Sequence, residues 1–194
     1  MIGVRRVAVL LTAAVLASWV ARAATLDSVI VTYDSGRYGL EAEAFMDAPR
    51  ESIFAVLVDY ERIGRLSSAY KEYGFMDPAA DGTPIVFTRL EGCVLIFCRS
   101  LRRVERLEGD EPGYIRTVML PEQSDFSYGL AQWWLEPEAT GTRVTYHLEM
   151  EPDFWVPPVI GPWILQRRLK RGGEAAVGRI ERLALGLPAE PQSL

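Results

Sequence analysis

Residues 161–185 read GPWILQRRLKRGGEAAVGRIERLAL. The opening Gly-Pro pair is typical of a helix start, and the apolar residues after it recur near the helical repeat of 3.6 residues. A helix of twenty-odd residues spans roughly 35 Å, about the width of a small domain. We therefore predict one long C-terminal helix, followed by a loose tail over residues 188–194.

Two adjacent glycines, Gly172 and Gly173, lie in the middle of this predicted helix. Each costs about 1 kcal/mol relative to alanine in a helix interior. The helix is therefore expected either to bend at this point or to pack so closely against a neighbouring element that only bare backbone fits.

The chain before the helix has the apolar–polar alternation of β-strands, with turn residues between them. The alternation is clearest over residues 143–150, where Val144, Tyr146 and Leu148 share one face and His147 lies on the other. Strands are predicted over residues 29–33, 37–46, 70–76, 84–90, 95–107, 114–120, 128–135 and 143–150. Two short helices are predicted after the second strand, over residues 47–60 and 61–67.

The composition excludes several kinds of site. The chain has 194 residues, one His and two Cys, so a zinc site with several imidazoles and a four-cysteine site are both impossible. The formal net charge of −5 argues against broad nucleic-acid binding. His147 is expected to be exposed rather than catalytic, because the sequence suggests no partner that would orient it. No metal or cofactor is predicted.

The N-terminus has the pattern of a secretory signal peptide over residues 1–23. Two arginines precede an uncharged, mostly apolar run over residues 7–20, and small residues surround a cleavage point after Ala23. The run is shorter than the ~20 residues of a membrane-spanning helix, although an uncleaved anchor is the alternative. Removal of the leader takes the net charge from −5 to −8, because three arginines leave with it. We expect an exported, acidic, periplasmic chain.

Export bears on the two cysteines, Cys93 and Cys98, because an oxidising compartment permits a disulfide. In one continuous strand, positions five apart lie roughly 16 Å from each other, far beyond the ~7 Å limit between the Cα atoms of a bridged pair. A disulfide therefore requires a turn between the two, which Glu91-Gly92 can begin. The alternative is two buried thiols.

The order of these elements resembles the helix-grip fold. Matching features follow one another along the chain: Tyr38-Gly39-Leu40-Glu41-Ala42, Asp47-Ala48-Pro49, Val56-Leu57-Val58-Asp59-Tyr60, Gln132-Trp133-Trp134-Leu135-Glu136-Pro137, Gly141-Thr142-Arg143-Val144 and Ile180-Glu181-Arg182-Leu183-Ala184. Over residues 28–187 the chain resembles the START-like (SRPBCC) superfamily, near its polyketide cyclase/dehydrase and coenzyme Q-binding branches. The resemblance implies an α+β, helix-grip ligand-binding domain over residues 24–187. In this fold a curved antiparallel sheet wraps around the long helix and leaves an apolar cavity.

Members of that superfamily bind lipids, quinones, polyketides and other hydrophobic molecules, and some are cyclases or hydrolases. No catalytic motif of an enzymatic branch is visible, so the resemblance implies an exported, non-enzymatic carrier of a hydrophobic or amphipathic small molecule. One alternative is a cyclase- or hydrolase-like enzyme for an aromatic or polyketide substrate. Its acids and bases would be Glu43, Tyr114 and Glu149, with Arg116 stabilising an enolate. The other alternative is a protein-interaction module.

Large side chains on the predicted strands and helix are candidates to line the cavity, or else are simple core: Tyr38, Phe87, Phe97, Tyr114, Trp134, Tyr146, Leu165 and Leu169. Three arginines, Arg89, Arg99 and Arg116, lie on strands beside apolar neighbours. If they face inward, they would bind a ligand carboxylate or phosphate. The alternative is an outward, solvated position with glutamate partners across the sheet.

The segment from Phe154 to Arg171 combines an apolar run with Trp163 and a basic stretch. Such a combination can contact a membrane surface, which would suit a carrier that loads a lipid. The alternative is a buried connector followed by a hydrated basic helix face.

Overall fold

The computed structural model describes residues 24–94, 97–154 and 161–189. Eight strands and two helices occur in these ranges: β1 (Thr25–Asp34), β2 (Arg37–Met46), α1 (Arg50–Leu57), β3 (Tyr70–Met76), β4 (Ile85–Val94), β5 (Phe97–Glu111), β6 (Tyr114–Met119), β7 (Phe126–Glu138), β8 (Gly141–Pro152) and α2 (Gly161–Ala184). The predicted signal peptide lies outside the described residues. Within them, no helix has both the length and the apolar character needed to cross a bilayer.

All eight strands form one curved antiparallel sheet, in the order β1-β2-β8-β7-β6-β5-β4-β3. The predicted α+β class and the long C-terminal helix are confirmed. The second predicted short helix is only one 3-10 turn, Ile63–Arg65. A Cβ atom on Gly64, the glycine of this turn, would collide with the ring of Tyr73. Because glycine also has a low helix propensity, the turn does not extend into a helix.

The inner face of the sheet is the face that α1 and α2 cover. The alternation predicted for β8 holds, since Val144 and Leu148 are buried on this face. The main apolar cluster joins the inner face to both helices: Ala44, Met46, Ala48, Ile53, Val56, Ile63, Leu66, Ile115, Leu135, Val144, Val177 and Ile180. The core therefore lies under α1 and the C-terminal half of α2.

The two glycines of α2 have different surroundings, and the helix is continuous through both. A Cβ atom on Gly173 would lie 2.9 Å from Cδ2 of Leu26 on β1, whereas one on Gly172 would meet open space. Of the two expectations for this glycine pair, close packing is therefore the one that the structure supports, at Gly173.

Candidate functional site

Four polar side chains are buried together on the inner face where β4, β5 and β6 adjoin. We call Thr88, Arg103, Glu105 and Thr117 the inner polar cluster. Glu105 Oε1 accepts hydrogen bonds from Arg103 Nη2 at 2.7 Å and from Thr117 Oγ1 at 3.0 Å. The side chains of Arg103 and Glu105 are only 13% and 4% exposed. Charged groups are seldom buried this deeply unless they are paired, and here Arg103 and Glu105 pair with each other. The inner polar cluster is thus a charged site within a mostly apolar face.

The strand register explains how these residues come together. Residues 101–108 of β5 read LRRVERLE, and every second residue points to the same face. Arg103 lies opposite Thr88, and Glu105 lies opposite Val86. Because Thr88 and Val86 are 3% and 0% exposed, the side chains of Arg103 and Glu105 are directed into the interior.

Two atoms of the inner polar cluster have unmet hydrogen-bonding capacity. Arg103 Nε and Thr88 Oγ1 are both buried, and neither has a hydrogen-bond partner among the described residues. They belong to directly opposite residues of β4 and β5. A buried polar group without a partner costs about 1–3 kcal/mol and is uncommon in native proteins. One ligand oxygen that accepts a hydrogen bond from Arg103 Nε and forms another with the Thr88 hydroxyl would give both atoms a partner.

Three tyrosines, the buried Tyr60 and the half-buried Tyr70 and Tyr146, lie within electrostatic range of the ion pair. Burial raises the pKa of each phenol, and the positive charge of Arg103 opposes that rise. Burial by itself would lower the pKa of Arg103, but the adjacent Glu105 carboxylate reverses this effect and the pKa is raised. At neutral pH the guanidinium is therefore charged and the three phenols are neutral.

The raised pKa values of these tyrosines predict a loss of stability in alkali. A tyrosine with a higher pKa in the folded chain stabilises the fold fully below its unfolded pKa of about 10, and this contribution is lost as the pH rises through the folded value. We expect three tyrosines to ionise only as far-UV circular dichroism is lost. Tyr146→Phe should remove one of them from the tyrosinate absorbance of that transition. Ionisation of every tyrosine before unfolding would contradict this expectation.

An apolar surface adjoins the inner polar cluster. Trp133 and Tyr146 stack with ring centroids 4.5 Å apart and an interplanar angle of 27°. Both are only half-buried and pack against a second apolar cluster formed by Leu40, Ala131 and Leu148. The inner face therefore presents aromatic surface beside a polar anchor, which is the usual composition of a small-molecule site.

Three of the cavity candidates from the sequence lie on the inner face. Tyr38 is 5% exposed, and its hydroxyl is buried without a hydrogen-bond partner among the described residues. Tyr146 lies beside Arg103, and Leu169 of α2 packs against the second apolar cluster. Their role in ligand binding stays a prediction. The side chains of two further candidates, Phe97 and Leu165, fall outside the described part of the chain.

Two of the three predicted arginines have the outward position with a glutamate partner, which was the alternative to an inward, ligand-binding one. Arg89 lies on the outer face opposite Arg102 and forms an ion pair with Glu72 at 3.3 Å. Arg116 also points outward, between the buried inner residues Ile115 and Thr117, and pairs with Glu108. Both arginine side chains are partly exposed, at 40% and 37%, so each is solvated as well as paired with a glutamate.

Arg99, the third predicted arginine, does not enter the interior either. Its residue is exposed, and its guanidinium lies 4.5 Å from the centre of the Phe154 ring. Phe154 also contacts Phe126, with ring centroids 6.1 Å apart. Phe154, the first residue of the segment predicted to contact a membrane, therefore packs against other side chains of the chain. Residues 155–160 of that segment lie outside the described ranges.

Three aromatic candidates also belong to the outer face. Tyr114 and Trp134 are register partners whose ring centroids lie 5.5 Å apart, and the Tyr114 hydroxyl accepts a hydrogen bond from Gln132 Nε2 at 2.6 Å. Phe87 lies opposite Val104, one position away from the inward Thr88. The alternation of these strands was read in the wrong phase, and an outward aromatic pair packs equally well across a sheet.

The candidate acids and bases of the enzymatic alternative are all on the outer face. Glu43 and Glu149 flank the outward His147, whose Nε2 lies 3.7 Å from Glu149 Oε1. Glu43, His147 and Trp134 line a shallow outer groove of about 360 Å³. The described residues contain no group of three ligating side chains that could hold a metal ion.

The two cysteines are opposite each other in the β4–β5 register. Cys98 is disulfide-bonded, and Cys93 is the other cysteine of the chain. Val94 and Phe97 are also register partners, so the antiparallel pairing of β4 with β5 brings the two cysteine positions together. Glu91 and Gly92 belong to β4 and do not form the turn, and residues 95 and 96 lie outside the described ranges.

Comparisons with known proteins identify the fold. No protein-family model matches the sequence, and no curated protein sequence matches it. Among solved structures, a START superfamily protein from Mycobacterium smegmatis aligns with a TM-score of 0.60 at 20% identity, covering 75% of this chain and 98% of that one. The Zhui aromatase/cyclase from Streptomyces sp. R1128 aligns with a TM-score of 0.55 at 14% identity, covering 75% and 94%. Human STARD10 aligns with a TM-score of 0.58 at 11% identity, covering 82% and 74%. The chain has the START-like helix-grip fold.

Proposed function

We propose that this protein binds an amphipathic small molecule in the space between the sheet and α2. The polar end of the ligand bonds the inner polar cluster, and its apolar part lies against Trp133 and Tyr146. The observation that carries the proposal is the pair of buried, unpartnered atoms, Arg103 Nε and Thr88 Oγ1. A bound oxygen atom recovers the hydrogen bonds that these atoms lack.

The charges of the inner polar cluster indicate which polar group fits. Arg103 and Glu105 neutralise each other at 2.7 Å, so the ligand does not need a full negative charge. A donor on Arg103 and a hydroxyl on Thr88 together suit a carbonyl, carboxyl or hydroxyl oxygen. The ligand is therefore an apolar molecule with one oxygen-bearing end, as in a fatty acid, a long-chain alcohol or a quinone.

Two considerations from the sequence suit a carrier. The pattern of residues 1–23 is that of a cleaved leader, so we include export to the periplasm in the proposal. Contact with a membrane surface through the segment from Phe154 to Arg171 would load an apolar cargo.

Binding of three probes with one chain length tests this function. Dodecanoic acid, dodecanol and dodecane are titrated into the purified chain, with tryptophan fluorescence as the readout. We expect the acid and the alcohol to bind more tightly than dodecane, because they alone offer an oxygen to Arg103 and Thr88. Thr88→Val should weaken both by about 2–10-fold, the value of one hydrogen bond, and leave dodecane unchanged.

Thr145→Val is the matched control, because Thr145 is a half-buried threonine of the outer face. It should leave all three affinities unchanged. Mass spectrometry of an organic extract from natively purified protein then identifies the natural ligand class. Failure of every probe to bind, together with an extract that contains no small molecule, would refute the proposed function.

A further inference from the structure

One carboxylate of α2 bonds the backbone at two places far away in the sequence. Glu181 Oε2 accepts a hydrogen bond from the backbone N–H of Asp47 at 2.6 Å, just after β2. Glu181 Oε1 accepts one from the backbone nitrogen of Ala24 at 3.3 Å, just before β1. Ala24 and Glu181 are both half-buried, and Ala24 packs against the main apolar cluster. Glu181 therefore connects α2 to the beginning of β1 and the end of β2.

The nitrogen of Ala24 is also the atom that removal of the predicted leader would expose. Hydrolysis by a leader peptidase breaks the C–N bond between Ala23 and Ala24, and water supplies the hydroxyl of the new Ala23 carboxyl group. The nitrogen of Ala24 becomes an amine, which takes up a proton near neutral pH because an α-amino group has a pKa of about 7.7–8.0. A neutral amide donor would thus become a positive ammonium group beside a carboxylate.

We propose that Glu181 is the receptor for the new N-terminus, so that processing between Ala23 and Ala24 converts a neutral hydrogen bond into an ion pair that fastens α2 to the sheet. The proposal rests on the export that is part of the proposed function. Charge-assisted hydrogen bonds are roughly twice as strong as neutral ones. The mature chain therefore holds α2 more firmly over the inner face than the precursor does.

Other charged groups lie on the elements around this contact. Asp27 pairs with Arg143, Arg50 pairs with Glu51, Arg179 donates to Leu66 O and Arg182 donates to Pro188 O. Asp47, at the end of β2, takes part through its backbone N–H. These groups are the same whether the α-amino group of Ala24 is free or acetylated. A comparison of a chain with a free amine and a chain with an acetylated one therefore isolates the effect of the amine.

Four chains test the ion pair. A fusion protein whose protease leaves no extra residue gives a chain that begins with the free amine of Ala24, and Nα-acetylation gives the blocked form. Each is made with Glu181 and with Glu181→Gln. In urea unfolding at pH 6.5, the free amine should lower the unfolding equilibrium constant about fivefold relative to the acetylated form when Glu181 is present. With Glu181→Gln, this ratio should fall to near one.

The advantage of the free amine should also disappear well above pH 8, where the amine is uncharged. Equal effects of acetylation with Glu181 and with Glu181→Gln would overturn the proposal on its geometry. The mass of the exported full-length chain tests its premise separately. A chain that begins at Ala24 supports the proposal, and any other N-terminus overturns it without affecting the ligand-binding titrations.

Discussion

Arg103→Met is expected to lower the free energy of unfolding by about 3–5 kcal/mol, the cost of removing one partner from a buried ion pair. Methionine fills similar space but leaves the carboxylate of Glu105 without its cation in a position where the side chain is 4% exposed. Thr117 still donates one hydrogen bond to that carboxylate, which does not replace the lost charge. Urea unfolding followed by circular dichroism measures the difference.

Two further variants show whether this loss comes from the unpaired charge. In Arg103→Met/Glu105→Met the buried charge is absent, and most of the lost stability should return, because a buried ion pair is often no better than apolar residues of similar volume. Arg106→Met removes the adjacent outward arginine of β5, whose partners Asp81 and Glu108 remain solvated. Its unfolding midpoint should stay close to that of the parent chain. A double variant as unstable as Arg103→Met would show that packing, and not charge, causes the loss.

If Arg103 and Glu105 are retained for binding rather than stability, the double variant should be stable but should lose part of its preference for oxygen-bearing probes. The ratio of dodecanol to dodecane affinity should fall, because methionine donates no hydrogen bond and only Thr88 is left to bond the oxygen. A change in the preference for dodecanol over dodecane cannot arise from global unfolding, since the variant is folded. The double variant therefore separates the contribution of the ion pair to stability from its contribution to ligand binding.

The order and type of the elements could be predicted from the sequence because local patterns encode them. The alternation around Val144 and Leu148 and the helical spacing of residues 161–185 depend on near neighbours in the chain. The same local information predicts a strand over residues 95–107, which covers β5 from Phe97 to Leu107 and stops four residues before its end at Glu111. Element ends were less accurate, since strands such as β7 continue past their apolar residues through backbone pairing with β8.

The candidate site could not be predicted, because β5 carries charged residues on both of its faces. In the run LRRVERLE over residues 101–108, alternation alone does not distinguish the inward Arg103 from the outward Arg102 and Arg106. Which face is inner is decided by pairing with β4, where Thr88 is buried. The apolar run of β4 does not settle the phase either, because Ile85, Val86 and Phe87 are consecutive apolar residues that alternate between the two faces.

Ile53→Ala is expected to lower the free energy of unfolding by about 2–5 kcal/mol, the usual cost of truncating a buried isoleucine. Ile53 of α1 is 0% exposed and belongs to the apolar cluster that joins α1, the sheet and α2. The surroundings come from three different elements, so they cannot all move inward to fill the space that three lost carbon atoms leave. Because Val177 and Ile180 of α2 share this cluster, the substitution should also loosen the helix that covers the inner face.

Ile30→Ala is the matched control, since it makes the same chemical change on β1 where the side chain is 52% exposed. Its effect should stay within about 0.5 kcal/mol, as for most surface substitutions. Hydrogen exchange of α2 amides gives the second measurement, and exchange of residues 177–184 should accelerate in Ile53→Ala but not in Ile30→Ala. Similar losses of stability in the two variants would mean that α1 does not anchor the core. It would also mean that α2 is not held mainly at its C-terminal half by this cluster and by Glu181.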